Sequence, residues 1–194
     1  MPSPYWEFFQ SLSFQKAIKN LDVLTYRNGD LIPQVKDATA WAALTTGAWC
    51  YFNNDPSGYG AIYGKIYNWY AVNDPRGLAP LGWHIATSDE FETLRNALGG
   101  SAVAGGKLKT AGTGRWISPN TGATNESGFS ALPGSYRDNN GSFYNFTGQL
   151  GYWWTATEFN TSNAYYYQLN NTIENALRGN ENKKRGFSVR VVRD

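Results

Sequence analysis

From residue 101 onward the chain is a series of short aromatic runs cut by Gly and Asn: GGKLKT, RW, GFSALPGSY, GSFYNF, GYWWTAT, AYYYQL and GFSVRVV. Runs this short, bounded by turn formers, predict antiparallel strands joined by tight turns. The first half reads differently. Thr87 and Glu90 form a Thr-x-x-Glu capping box at the start of SDEFETLRNAL. Phe91, Leu94 and Leu98 line one side of that helix, and Gly99-Gly100 ends it. Asp37 caps a shorter helix that puts Trp41 and Leu44 on one face and ends before Gly47. YGKIYNWYAV alternates like a strand. DVLTYRNGDLIPQV reads as a hairpin, with Asn28-Gly29 as a two-residue turn. Helices early and short strands late make an α+β domain. No repeat with a period of about 20–50 residues breaks the chain up, and 194 residues suit one main domain.

Residues 1–21 stand apart. MPSPYWEFF is apolar and aromatic, and Pro2 and Pro4 oppose an early helix. Ser13 can cap a short helix in which Phe14, Ala17, Ile18 and Leu21 form one apolar stripe. The expectation is an N-terminal anchor over 1–21, docking on other proteins of an assembly, and a main domain over 22–194.

Composition removes several functions. The lone Cys50 excludes an intrachain disulfide and a multi-cysteine metal site, and the lone His84 excludes two-histidine zinc signatures. No apolar run reaches the roughly 18 residues of a membrane span. The start lacks a basic region followed by an apolar stretch, so no leader is expected. A net charge of +2, with 17 scattered Lys and Arg, gives no footprint for nucleic acid. Charged residues are only 16% of the chain, against about 25% in an average domain, while aromatics are also 16%. A polar but neutral surface rich in Tyr and Trp suits contact with glycans or proteins.

Catalysis finds little support. His84 in GWHIAT reads as a structural group, and Cys50 in GAWCYF is flanked by aromatics that imply an inert buried thiol. GGSAVAGGK lacks the spacing of a phosphate loop. DNNGS at Asp138 lacks the later bidentate Glu of a calcium loop and reads as a tight turn. Glu158 after the Trp pair and Asp138 are the only acidic residues near expected strands that stand out, and paired carboxylates cannot be located from the sequence. Sequons at Asn125, Asn140, Asn145, Asn160 and Asn170 match the glycosylation pattern by composition. No cofactor, metal site or catalytic residue is expected.

The stretch from Phe159 to Lys184 is the most informative. Strand alternation places Leu169 inward with Tyr167 and Tyr165, and turns Tyr166, Gln168 and Asn170 outward. Asn171, Glu174, Asn175, Arg178, Asn180 and Asn182 then extend a polar loop surface that can satisfy sugar hydroxyls or peptide edges. These nine residues are the expected ligand-binding set.

Six segments in order carry a family resemblance: YNWYAV, GLAPLGWHIATSDEFETL, GGKLK, NESGFSALPGSYRDNNGSF, GYWWTATE and GFSVRVVRD. Together they resemble the Fibrobacter succinogenes major paralogous domain from about Asp22 to Asp194. That family is similar to the formylglycine-generating-enzyme branch of the C-type lectin fold. The resemblance implies two main helices beside a twisted antiparallel sheet, adjacent termini, and long loops on one face. The enzyme branch uses paired cysteines in its C-terminal half, where this sequence has none. The EPN and QPD triplets of calcium-dependent lectins are also missing. Some phage and bacterial relatives carry a diversified binding surface just before the last strand, where residues 160–182 lie. The expectation is a non-enzymatic, virion-associated binding module: a fibre-tip or capsid-surface adhesin, with trimeric assembly by analogy, that recognises a host-surface glycan or protein. A cement or decoration protein and a bacterial cell-surface lectin-like domain are the alternatives.

Overall fold

The computed structural model describes residues 18–194. Ser13, Phe14 and Ala17 of the expected anchor helix lie outside the described residues. At its C-terminal end Leu21 is buried and Ile18 exposed, with no helix over 18–21. The Leu21 amide donates to the Val189 carbonyl, which brings the start of the described chain against the last strands.

A four-stranded sheet, its strands side by side in the order 176–182, 163–170, 150–158 and 188–189, organises the α+β fold. Strands β6 (Leu150–Glu158), β7 (Asn163–Asn170) and β8 (Ala176–Asn182) form an antiparallel meander. Strand β9 (Ser188–Val189) joins β6 in parallel, so the sheet is mixed rather than wholly antiparallel. Two-stranded pairs surround it: β1 (Trp49–Tyr51) with β2 (Lys65–Tyr67), β3 (Trp83–Ile85) with β10 (Val191–Arg193), and β4 (Tyr136–Arg137) with β5 (Phe143–Tyr144).

Strand β6 is buried from Gly151 to Thr155 because both faces of the sheet carry core. Trp153 points to one side, where it meets Phe91, Trp116, Phe129, Tyr167 and Leu169. Tyr152 and Trp154 point to the other, among Trp49, Tyr67, Trp69 and Phe187. A strand covered on both faces loses the apolar–polar alternation of a surface strand.

Local signals held where they were self-contained. Helix α1 (Ala38–Ala42) is capped by the Asp37 carboxylate, which accepts from the Ala40 amide. The long helix α3 (Ser88–Ala97) has its capping box formed between Thr87 and Glu90. The expected strand over YGKIYNWYAV stops at Tyr67, because the Asn68 side chain caps a further short helix, α2 (Trp69–Val72). The Asn28-Gly29 turn is a three-residue connection instead of two. Tyr26 and Asp30 flank it, and only Gly29 has positive φ, which marks a turn followed by a bulge.

GGKLKT is not a strand either. Its first four residues lie in α4 (Ala104–Leu108), packed so closely that a Cβ on Gly105 would sit 2.2 Å from the Asn175 carbonyl oxygen. RW forms no strand, although Trp116 is fully buried and its indole N–H donates to the Ala131 carbonyl. Within GFSALPGSY only Tyr136 enters a named strand. One long helix, with others of at most five residues, stands where two main helices were expected.

Several cations are structural pins. Arg137 is fully buried between the rings of Trp41 and Phe143 and donates to the carbonyls of Val35, Lys36 and Gly141. Lys109 donates to the carbonyls of Thr121, Asn170 and Ile173 at 2.8–2.9 Å. A low charge count therefore does not mean a charge-free interior; irregular segments use ammonium and guanidinium groups to satisfy their carbonyls.

Candidate binding surface

Strand register divides the expected binding residues between two faces. Across β7 and β8, Tyr166 pairs with Gly179 and Gln168 with Leu177, while Tyr167 pairs with Arg178, Tyr165 with Asn180 and Asn163 with Asn182. Paired residues share a face. Tyr166, Gln168 and Asn170 therefore lie on one side, and Arg178, Asn180 and Asn182 on the other, beside α3. The expected single surface running from Tyr166 to Asn182 does not exist as one patch. Residues 176–182 are a strand, not a polar loop, and that strand imposes the division.

Most of the remaining set serves the fold. Asn171 is buried, and its amide donates to the carbonyls of Ile117 and Ser118, which corrects its placement on the surface. The Asn170 side chain accepts from Thr172 within its own turn. The Glu174 carbonyl accepts from the Gly106 amide, and the Asn175 carbonyl closes over Gly105. Asn180 accepts from Asn163, and Asn182 from the Lys184 amide. Arg178 is exposed at the sheet edge, with its guanidinium over the Tyr165 ring.

The Tyr166 side is an aromatic platform that the sequence did not bring together. Tyr136 stacks nearly parallel with Tyr144 and Phe146 and meets Tyr152 edge-on. Tyr152 lies beside Tyr166, and both pack on Phe187. The Tyr144 ring is 42% exposed. Gly179 leaves room for Tyr166, since a Cβ there would be 2.8 Å from the Tyr166 hydroxyl. The hydroxyls of Tyr136, Tyr152 and Tyr166 and the amide of Gln168 have no hydrogen-bond partner among the described residues. Burial of the rings pushes all three phenols above their ordinary pKa, and the charge of Glu181 adds to the shift at Tyr166. These hydroxyls therefore stay protonated and can both donate and accept.

One ion-pair cluster borders the platform. Arg185 lies over Tyr136 and reaches Asp138 and Glu181, each at 2.8 Å. With its guanidinium held by two carboxylates, Arg185 is already paired at this border. The face is thus apolar rings topped by neutral donors and acceptors, the composition of a site for uncharged polar ligands.

The family model of the Fibrobacter succinogenes major domain matches residues 18–193. The chain belongs to this family. Comparison with curated proteins and with solved structures gives no match. Within this major domain, His84 bridges two carboxylates: Nδ1 lies 2.7 Å from Asp194 and Nε2 lies 2.8 Å from Glu90. Burial alone would lower its pKa, but hydrogen bonds and charge from Asp194 and Glu90 outweigh that and raise it. Glu90 also accepts from the Thr87 amide and hydroxyl, so the trio is built into the cap of α3. The Cys50 thiol is buried and pushed up to about 12, mainly by desolvation, which leaves it protonated. Among the described residues no group of His, Cys, Asp and Glu is arranged to hold a metal ion, and no helix is long and apolar enough to cross a membrane.

Proposed function

We propose that this domain is a non-enzymatic binding module that holds a host-surface ligand, a glycan first and a protein second, on the tyrosine platform of its central sheet. The observation that carries the reading is the row of Tyr136, Tyr152 and Tyr166 hydroxyls, set on rings in mutual contact and unbonded within the described chain. Sugar rings present an apolar face and a rim of hydroxyls, so stacking on Tyr144 and hydrogen bonding to the phenols and Gln168 use both. The protonated, buried Cys50 thiol and the cap-bound His84 support a role without covalent chemistry.

The wider fold assigned with this reading is C-type lectin-like, related to formylglycine-generating enzymes. The proposed setting is a virion appendage or capsid surface, resting on the resemblance to phage-borne domains of that fold. Immunogold labelling of native particles checks the setting: label on cell envelopes with bare particles overturns it and leaves the platform untouched.

The platform is tested with immobilised neutral and uronic-acid polysaccharides and host envelope fractions. Tyr144→Ala removes the exposed ring and Tyr166→Phe removes one hydroxyl. Each should weaken retention by about tenfold, the equivalent of roughly 1.4 kcal/mol, whereas Arg178→Ala on the opposite face should bind normally. Loss of binding in Arg178→Ala with normal binding in Tyr144→Ala would move the site to the other face.

A further inference from the structure

The tyrosine platform is not the same at its two ends. Along its margin, β8 turns Leu177, Gly179 and Glu181 to the platform side, opposite Gln168, Tyr166 and Ala164 of β7. These three positions grade from apolar to anionic. Leu177 is 40% exposed. Gly179 leaves its room to the Tyr166 ring. Glu181 stands beyond and gives one carboxylate oxygen to Arg185.

The charges at the Glu181 end do not balance. Glu181 and Asp138 share Arg185, so two carboxylates face one guanidinium. Lys183 and Lys184 are held elsewhere, by Glu158 and by the Ala42 carbonyl. Burial is the main cause of the raised Tyr166 pKa; among the charges, Glu181 raises it more than Arg185 lowers it. At Tyr136 and Tyr152 burial again dominates, but there Arg185 acts more strongly than Glu181. The negative end therefore lies at Tyr166. Beside it Tyr152, only 9% exposed, ends in a hydroxyl with no partner among the described residues. The chain itself sets a cation on this surface, since the Arg185 guanidinium lies 5.4 Å from the Tyr136 ring centroid.

We propose that the platform selects an amino sugar, its ring on the tyrosines and its ammonium at Tyr166 and Glu181, a specificity that rests on the glycan reading above. The two parts of such a sugar match the two parts of the face. The C–H face and the hydroxyls use the rings, the phenols and Gln168. The ammonium meets the negative face of an aromatic ring and a carboxylate together. An N-acetyl group carries no charge and gains neither attraction. The carboxylate of a uronic acid would meet Glu181 and Asp138 as a like charge, which specific sites use to reject wrong ligands.

The test is calorimetric titration of the full chain with glucosamine and galactosamine oligomers and with their fully N-acetylated counterparts of the same length. The unaltered protein should bind an amino oligomer about tenfold more tightly than its acetylated form, and added salt should narrow that gap. Glu181→Gln keeps the size of the side chain and removes its charge. It should abolish the preference while leaving the affinity for the acetylated oligomer unchanged. Asp89→Asn removes the same charge from α3 and should keep the preference. Tyr166→Phe should weaken both forms. Equal or tighter binding of the acetylated oligomers, with Tyr166→Phe still weakening them, would overturn the amino-sugar assignment and leave the platform standing. A preference that survives Glu181→Gln, or that Asp89→Asn abolishes equally, would overturn the assignment as well. Binding of neither form, or binding indifferent to Tyr166→Phe, would overturn the assignment and the platform together.

Discussion

At the residue scale, single side chains close gaps that regular structure leaves open. Lys109 is the strongest case. Its ammonium lies over the Trp116 ring and ties the carbonyls of Thr121, Asn170 and Ile173 into one junction. Burial draws its pKa down to about 8 with Glu174 opposing, so it remains mainly cationic at neutral pH. Lys109→Met keeps most of the volume but strips the donor from three partly buried carbonyls. It should lower unfolding free energy in urea by about 3 kcal/mol or more; an unchanged midpoint would show that water satisfies those carbonyls. None of this was legible in the sequence. GGKLK looks like a strand because Lys and Leu alternate, and neither the buried end of Lys109 nor the backbone packed against Gly105 and Gly106 has a local signal.

At the element scale, legibility followed locality. The Thr87–Glu90 box depends on residues three apart and appears as expected. ALRGNEN has no apolar alternation, so β8 carries no strand signal of its own; as a sheet margin it needs none. The division of the expected site follows from that strand, which puts Tyr166 and Arg178 on opposite faces.

The cap of α3 carries a pH dependence of defined sign. The folded pKa of His84 is raised above 6.5, so its contribution is complete below that value and is lost as pH rises through the folded value. The folded pKa of Glu90 is lowered from 4.5, so its contribution is complete above that value and is lost as pH falls through the folded one. The trio therefore stabilises most between about pH 4.5 and 6.5. The groups are partly exposed, which limits the effect to about 0.5–1 kcal/mol. His84→Ala should remove the decline in urea midpoint between pH 6.5 and 8; an identical decline in the variant would place its origin elsewhere.

At the scale of the whole molecule, a central meander divides the aromatic core, with Trp153 on one side and Trp154 on the other. Composition forecast the polar, aromatic character, and segment order forecast the family that residues 18–193 match. What it could not supply was the meeting of Tyr136, Tyr144, Tyr152 and Tyr166, which come from separate strands and converge only through sheet pairing. Ligand-induced NMR shifts separate the platform from the opposite face, with whichever immobilised polysaccharide retains the protein as the titrant in soluble form. Shifts centred on Tyr136, Tyr144, Tyr152, Tyr166 and Gln168, with Asn163, Tyr165 and Arg178 still, are the predicted result. Shifts centred on Arg178 and Tyr165, with the four tyrosines unmoved, would contradict it.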